Sequence, residues 1–190
     1  MQKMIKTVLF LSAFVTFSAM SEALRIEITQ GVSSAQPIVI VPFSSEQVIG
    51  GLPVDIAQIV SDDLARSGRF KPLPRTDMLN KPSSAEQVNF RNWQSLGQDN
   101  LVIGRVTPTA NGMLTVQFQL FDVYKGEQLT GFSIPANTAN LRGVAHRISD
   151  LIYENLTGQK GAFSTRMAYV TSMMGANGKQ EYKIQVADAD

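Results

Sequence analysis

The sequence predicts an α/β domain over residues 26–158, built from a mixed sheet and two main amphipathic helices. Three observations lead to this class. A short β-branched run between prolines, residues 37–43, is typical of a strand buried on both faces. Two later stretches place apolar side chains at helical spacing. A further stretch alternates apolar and polar residues, as a half-buried strand does.

The first half of the domain is predicted to form strand, helix and strand. Residues 70–73 indicate an edge strand closed by prolines, and residues 80–86 indicate a polar loop. Residues 87–96 indicate a short helix that carries Phe90 and Trp93. Before them, the first main helix covers residues 54–67. Its evidence is a set of apolar residues at helical spacing: Ile56, Ile59, Val60 and Leu64.

The second half is predicted to form a β-meander. Residues 101–106 form an apolar strand, and Asn111 and Gly112 predict a tight primed turn because both tolerate positive φ. Residues 114–120 alternate between apolar and polar side chains, as in a half-buried strand with one solvent-exposed face. The chain turns again at Lys125 and Gly126 and returns as a strand at residues 127–134.

The second main helix has the most regular pattern in the chain. Asn137 or Thr138 can cap its start, and Gly158 can end it. Its apolar stripe consists of Leu141, Val144, Ala145, Ile148, Leu151, Ile152 and Leu156.

A different kind of segment follows this helix. Residues 166–173 and 181–186 predict two strands around a turn at 175–178. A lone hairpin is at best marginally stable in water. The pair therefore indicates the beginning of a second domain, and the chain is expected to be an amino-terminal fragment.

The first 23 residues have the pattern of a secretory signal peptide. Lys3 and Lys6 precede an uncharged apolar run. The small residues Ser21 and Ala23 follow it, so cleavage is expected between Ala23 and Leu24. The run is shorter than the roughly 20 residues of a spanning helix. The mature protein is thus expected outside the cytoplasm, and an uncleaved anchor is the alternative.

Composition excludes several classes of function. The chain has no cysteine, which removes disulfides, thiol catalysis and Cys-ligated zinc. It has 17 Lys and Arg and 16 Asp and Glu. Because the signal segment holds Lys3, Lys6 and Glu22, the mature chain is neutral. It therefore has no electrostatic reason to bind nucleic acid or an anionic membrane.

The residue patterns predict no catalytic, cofactor or metal site. His146 is the only histidine, and it lies beside the apolar stripe, where a solvated or helix-edge position is expected. Asp62 and Asp63 point in different directions on a helix and are expected to be solvated charges, as are Asp188 and Asp190. Neither a G-x-S-x-G elbow nor a phosphate-binding loop is present.

Several segments, in order and with their spacing, carry a family resemblance. They are residues 25–43, 59–70, 93–97, 102–108 and 156–170. Together they resemble the TolB family over nearly all of the mature chain.

The resemblance implies a periplasmic component of the Tol-Pal system. It implies an amino-terminal α/β domain at residues 24–160, then a six-bladed β-propeller of which residues 161–190 supply the linker and the first strands of blade one. Such proteins are needed for outer-membrane integrity and for outer-membrane invagination during cell division. They bind proteins, use no cofactor and are not enzymes.

Two partners follow from the same resemblance. Pal binds mainly through the absent propeller, and the carboxy-terminal domain of TolA binds the tail at residues 24–31. The period-two pattern of this tail is compatible with strand addition to a partner's sheet, although an ordinary edge strand of the α/β domain is the alternative. The expected contact residues are Leu24, Arg25, Ile26, Glu27 and Ile28.

Two other classes of function stay open at this point. One is the accessory domain of an exported propeller hydrolase, whose catalytic residues would lie beyond residue 190. The other is a periplasmic small-ligand-binding module, which predicts a deep pocket with convergent polar groups.

Overall fold

The computed structural model describes residues 35–109, 112–176 and 178–188. Within these ranges, short 3-10 turns lie at Arg75–Asp77 and Ala85–Gln87. The predicted α/β class is confirmed. The helices are α1 (Ile56–Arg66), α2 (Phe90–Ser95) and α3 (Leu141–Thr157), and the strands are β1 (Gln36–Ile40), β2 (Phe70–Pro72), β3 (Asn100–Pro108), β4 (Leu114–Asp122), β5 (Glu127–Ala136), β6 (Arg166–Met174) and β7 (Gln180–Asp188).

The first five strands form one mixed sheet in the order β2-β1-β3-β4-β5. Strand β1 runs parallel to both of its neighbours, with Ile38 opposite Pro72 on one side and Asn100 on the other. Strands β3, β4 and β5 follow as an antiparallel meander. The short edge strand β2 contains Pro72, which suits an edge because proline has no N–H for the ladder.

Strand β1 is buried on both faces, as its β-branched run predicts. Ile38 and Ile40 pack with α1 and α3 in the larger hydrophobic core. Val39 and Val41 point to the opposite face and pack in a second, smaller core around Trp93. Alternate residues of a strand face opposite sides, so this one run supplies both cores.

Helix α1 begins at a side-chain cap. The Asp55 carboxylate accepts a hydrogen bond from the Gln58 backbone N–H at 3.0 Å. It also accepts two from the Arg75 guanidinium, at 2.6 and 2.8 Å. The cap therefore joins the start of α1 to the segment that follows β2.

Asp55→Asn should lower stability by about 0.5 kcal/mol at neutral pH, because asparagine keeps the cap but loses a half-exposed ion pair. The hydrogen bond from Arg75 is the main reason that the pKa of Asp55 lies below its ordinary value. A carboxyl with a lowered folded pKa stabilises the protein above its unfolded value of about 4, and loses that contribution as pH falls through the folded value.

The measurement is the urea midpoint of the unchanged protein and of the Asp55→Asn variant between pH 7 and pH 2.5. The difference should be largest near neutrality and disappear at the acid end. Arg75→Gln, which removes the same ion pair from the other side, should give a matching profile. A difference that grows on acidification would contradict the assignment.

Helix α3 follows the predicted stripe, but its start differs from the prediction. It begins at Leu141 after Asn140, and neither Asn137 nor Thr138 occupies the N-cap position. The Asn137 side chain instead accepts hydrogen bonds from the backbone N–H groups of Ala139 and Asn140, both at 3.0 Å. Asparagine forms such local turns as readily as caps, so the sequence pattern alone does not separate the two.

Two hairpins follow the predicted order. In the first, the Thr109 N–H donates to the Met113 carbonyl at 2.8 Å, a hydrogen bond that continues the pairing of β3 with β4. Gly112 has the predicted positive φ, 70°, whereas Asn111 lies outside the described residues. In the second, β6 and β7 form a separate two-stranded sheet.

Candidate functional site

The tail predicted to bind a partner lies outside the described residues. This holds for Leu24, Arg25, Ile26, Glu27 and Ile28, and also for the predicted cleavage between Ala23 and Leu24. The structure describes the chain from Ala35, which precedes β1, the strand between the edge strand β2 and β3. The placement of the tail thus stays a prediction.

A buried polar cluster joins the two main helices. Asp63 on α1 is 1% exposed, and on α3 His146 is 3% and Ser149 is 0% exposed. Asp63 Oδ2 lies 2.8 Å from His146 Nδ1 and accepts from Ser149 Oγ at 2.7 Å. Its other oxygen accepts from Arg66 Nη2 at 2.6 Å. Since a carboxylate only accepts, the ring nitrogen Nδ1 is the one that carries the hydrogen.

This cluster corrects two predictions. Asp62 is exposed as expected, but Asp63 and His146 are buried and bonded to each other, not solvated. A signal for Asp63 was present, because it falls three residues after Val60 and seven after Ile56, on the buried face of α1. Its charge made a core position look unfavourable, since buried charges are rare without partners.

The cluster contains the three residue types of a nucleophilic triad without the connectivity of one. In a triad, the serine hydroxyl bonds to one ring nitrogen of histidine and the carboxylate bonds to the other. Here Ser149 and His146 both donate to the same oxygen of Asp63. All three side chains are also closed to a substrate. The arrangement ties α1 to α3 and does not activate the serine.

An open groove of about 410 Å³ lies on the polar part of the sheet face opposite α1 and α3, beside residues 83–86. Arg105 Nε donates to Gln117 Oε1 at 2.6 Å, and Gln119 Nε2 donates to Gln128 Oε1 at 2.8 Å. The lining side chains therefore use part of their hydrogen-bonding capacity on one another. This differs from a ligand site, in which a few polar groups converge on the bound molecule.

The hairpin of β6 and β7 carries an exposed apolar face. Val170 lies opposite Ile184, and Ala168 opposite Val186. Val170 is 62%, Ile184 is 78% and Val186 is 63% exposed. Residues opposite each other and two apart in a hairpin share one face, so these side chains form a continuous patch.

Within the described residues, no group of three or more His, Asp or Glu side chains could hold a metal ion. In the same part of the chain, none of the helices has the length and apolar character needed to span a membrane. The absence of catalytic, cofactor and metal residues stays a prediction.

Fold and site together define an α/β domain whose buried polar groups are structural and which continues into an apolar β-hairpin. Comparison with known families identifies it further. The model of the TolB amino-terminal domain family matches residues 24–129. The chain belongs to that family.

Individual relatives agree with this membership. The chain is 46% identical to "Tol-Pal system protein TolB" of Thioalkalivibrio sulfidiphilus, over all of this chain and 43% of the relative. It is 48% identical to the protein of that name from Nitrosococcus oceani, over 88% of this chain and 38% of the relative. The crystal structure of TolB from Acinetobacter baumannii superposes with a TM-score of 0.67 at 34% identity, over 86% of this chain and 38% of that one. The chain thus spans about two fifths of the length of these relatives.

Proposed function

We propose that this chain is the amino-terminal part of a periplasmic Tol-Pal component that binds proteins and catalyses no reaction. The observation that carries the proposal is membership of the TolB amino-terminal domain family over residues 24–129, a range that includes the tail. In this role the protein links TolA and Pal. It thereby supports outer-membrane integrity and the invagination of the outer membrane during division.

The domain organisation belongs to the same proposal. Residues 1–23 are the signal peptide, residues 24–160 the α/β domain, and residues 161–190 the linker and the start of propeller blade one. The exposed apolar face of the β6 and β7 hairpin supports this division, because a neighbouring blade of a propeller would pack against it. Pal binds mainly through that propeller.

TolA binds through the tail. Leu24, Ile26 and Ile28 alternate with Arg25 and Glu27, so an extended tail presents an apolar side and a charged side. Such a segment can add to the edge of a partner's sheet through its backbone, while one row of side chains provides specificity. The carboxy-terminal domain of TolA is the proposed partner.

The buried Asp63 cluster supports the non-enzymatic part of the proposal. It is the nearest approach to a catalytic arrangement among the described residues, and its hydrogen bonds hold two helices together. Its function is accordingly assigned to the stability of the domain.

Deletion of residues 24–28 from the mature protein should abolish binding to the carboxy-terminal domain of TolA. The thermal unfolding midpoint should stay nearly unchanged, because the described residues from Ile38 onward already form two hydrophobic cores. Isothermal titration and thermal unfolding of the same samples measure both quantities.

Recovery of Pal by the full-length gene product provides the control, since the deletion leaves the propeller intact. Retained TolA binding together with a large fall in the midpoint would show that the tail is an ordinary strand of the fold. That result would contradict the assigned TolA site.

A further inference from the structure

The segment that follows α3, residues 159–165, is bonded to the helix it leaves. We call it the connector. Asp150, two turns before the end of α3, accepts hydrogen bonds from the backbone N–H groups of Phe163 at 2.8 Å and Ser164 at 3.2 Å. It also accepts one from the Ser164 hydroxyl. One carboxylate therefore holds two consecutive peptide units of the connector.

Gly161 brings the connector close to the same residue. A Cβ atom placed on Gly161 would lie 2.4 Å from Asp150 Oδ1 and 2.7 Å from Asp150 Cα. Contacts under 3.0 Å with backbone do not occur without movement of the chain. The absence of a side chain at this position is thus what allows the connector to reach the carboxylate.

An aromatic contact holds the connector at a second point. The Phe163 ring packs edge-on against Tyr153 of α3, with centroids 5.7 Å apart. Tyr153 in turn packs edge-on against Phe70 of β2 at 6.0 Å. Such ring pairs contribute to stability beyond the effect of the area that they bury. Here the two pairs link the connector, through Tyr153, to strand β2.

These contacts oppose the expectation from composition. Gly158, Gln159, Lys160 and Gly161 are residue types of a flexible linker. A free linker would let the unit after it rotate against the domain before it. The Asp150 hydrogen bonds and the Phe163 contact leave little of the connector free.

We propose that Asp150 is a positioning residue that fixes the connector to α3 and so fixes the direction in which the chain enters β6. In the full-length protein it would hold the α/β domain and the following unit in one orientation. The inference rests on the proposed function in one respect, namely that a second unit begins at Arg166. A protein that links two partners gains from a fixed geometry between its two binding surfaces, because ordering entropy is then not lost on binding.

The test uses the full-length gene product with spin labels on cysteines at Ala65→Cys of α1 and Lys183→Cys of β7, both exposed positions. In otherwise unchanged protein the distance distribution between the labels should be narrow. Asp150→Ala and Gly161→Ala should each broaden it at least twofold. Glu154→Ala, an exposed acidic residue one turn further along α3, is the matched control and should leave the width unchanged.

Hydrogen exchange of the connector provides the second measurement. The Phe163 and Ser164 amides should exchange on the order of tenfold faster in Asp150→Ala, the ratio that corresponds to the net value of about one hydrogen bond. Faster exchange with an unchanged distance distribution would show a local contact only and would overturn the proposal. If Asp150→Ala does not fold, Gly161→Ala decides the question in the same way. Neither measurement uses TolA or Pal, so failure of partner binding would count against the proposed function and not against this inference.

Discussion

Asp63→Ala is expected to lower the free energy of unfolding by about 2 kcal/mol, because the buried N–H of His146 loses its acceptor and an unsatisfied buried donor costs about 1–3 kcal/mol. Both His146 Nδ1 and Ser149 Oγ are closed to water, but Ser149 Oγ keeps the Ala145 carbonyl, at 3.1 Å, as a second acceptor. Arg66 is half-exposed, with 47% of its side chain accessible, and can turn to solvent at little cost. The fluorescence of Trp93, the one tryptophan of the chain, reports urea unfolding of the variant.

The neighbouring residue offers a matched control. Asp62 is exposed and bonds only to Gln58 on its own helix among the described side-chain contacts. Asp62→Ala should therefore change stability by less than about 0.5 kcal/mol, as is usual for surface positions. Equal effects of the two substitutions would show that the cluster contributes little, and that α1 and α3 are held by their apolar contacts alone.

Trp93→Ala is expected to cost about 3–5 kcal/mol, the range for removing a large aromatic side chain from a core. Trp93 is fully buried and belongs to the smaller core, to which the described part of the chain contributes seven buried residues. A cavity in so small a cluster cannot be filled by rearrangement of distant side chains. Far-UV circular dichroism during urea unfolding measures the effect, since the variant has lost the fluorophore.

Trp93→Phe separates the two properties of the side chain. Among the described residues, the indole Nε1 of Trp93 has no hydrogen-bond acceptor. Phenylalanine keeps most of the buried ring and removes this N–H, so its cost should stay below about 1.5 kcal/mol. The exposed neighbour Arg91, changed to alanine, should be nearly neutral. A loss with phenylalanine as large as with alanine would mean that the N–H and not the ring volume matters.

The elements of this fold that the sequence predicts best are those whose signal is local. The apolar run of β1 and the stripe of α3 each follow from residues within one element, and both are confirmed. The short helix predicted to carry Trp93 is also present, and Trp93 belongs to the smaller core. In each case the spacing of the apolar residues and the types of residue indicate the same element.

The wrong predictions for Asp63 and His146 arose because the partner of each residue lies far along the chain. Asp63 and His146 are 83 positions apart, and nothing in the pattern of either helix identifies the other. A charged residue in a core position becomes acceptable only when its partners are placed by the tertiary fold. The Asp150 contacts could not be predicted for a similar reason. Asp150 lies on the side of α3 opposite the apolar stripe, and nothing in the helix pattern indicates that its carboxylate accepts hydrogen bonds from backbone N–H groups of the next segment.

The position of β1 has a mechanical consequence for a protein held by its amino-terminal tail. The tail leads into β1, which lies between β2 and β3 and not at an edge of the sheet. A pull along the axis of β1 loads the hydrogen bonds to both neighbouring strands together, in shear. An edge strand pulled sideways would instead release its bonds one after another. If TolA holds the tail, as proposed, tension at that attachment is spread over both sides of β1 at once, and the domain can carry load at its amino terminus without unravelling from that end.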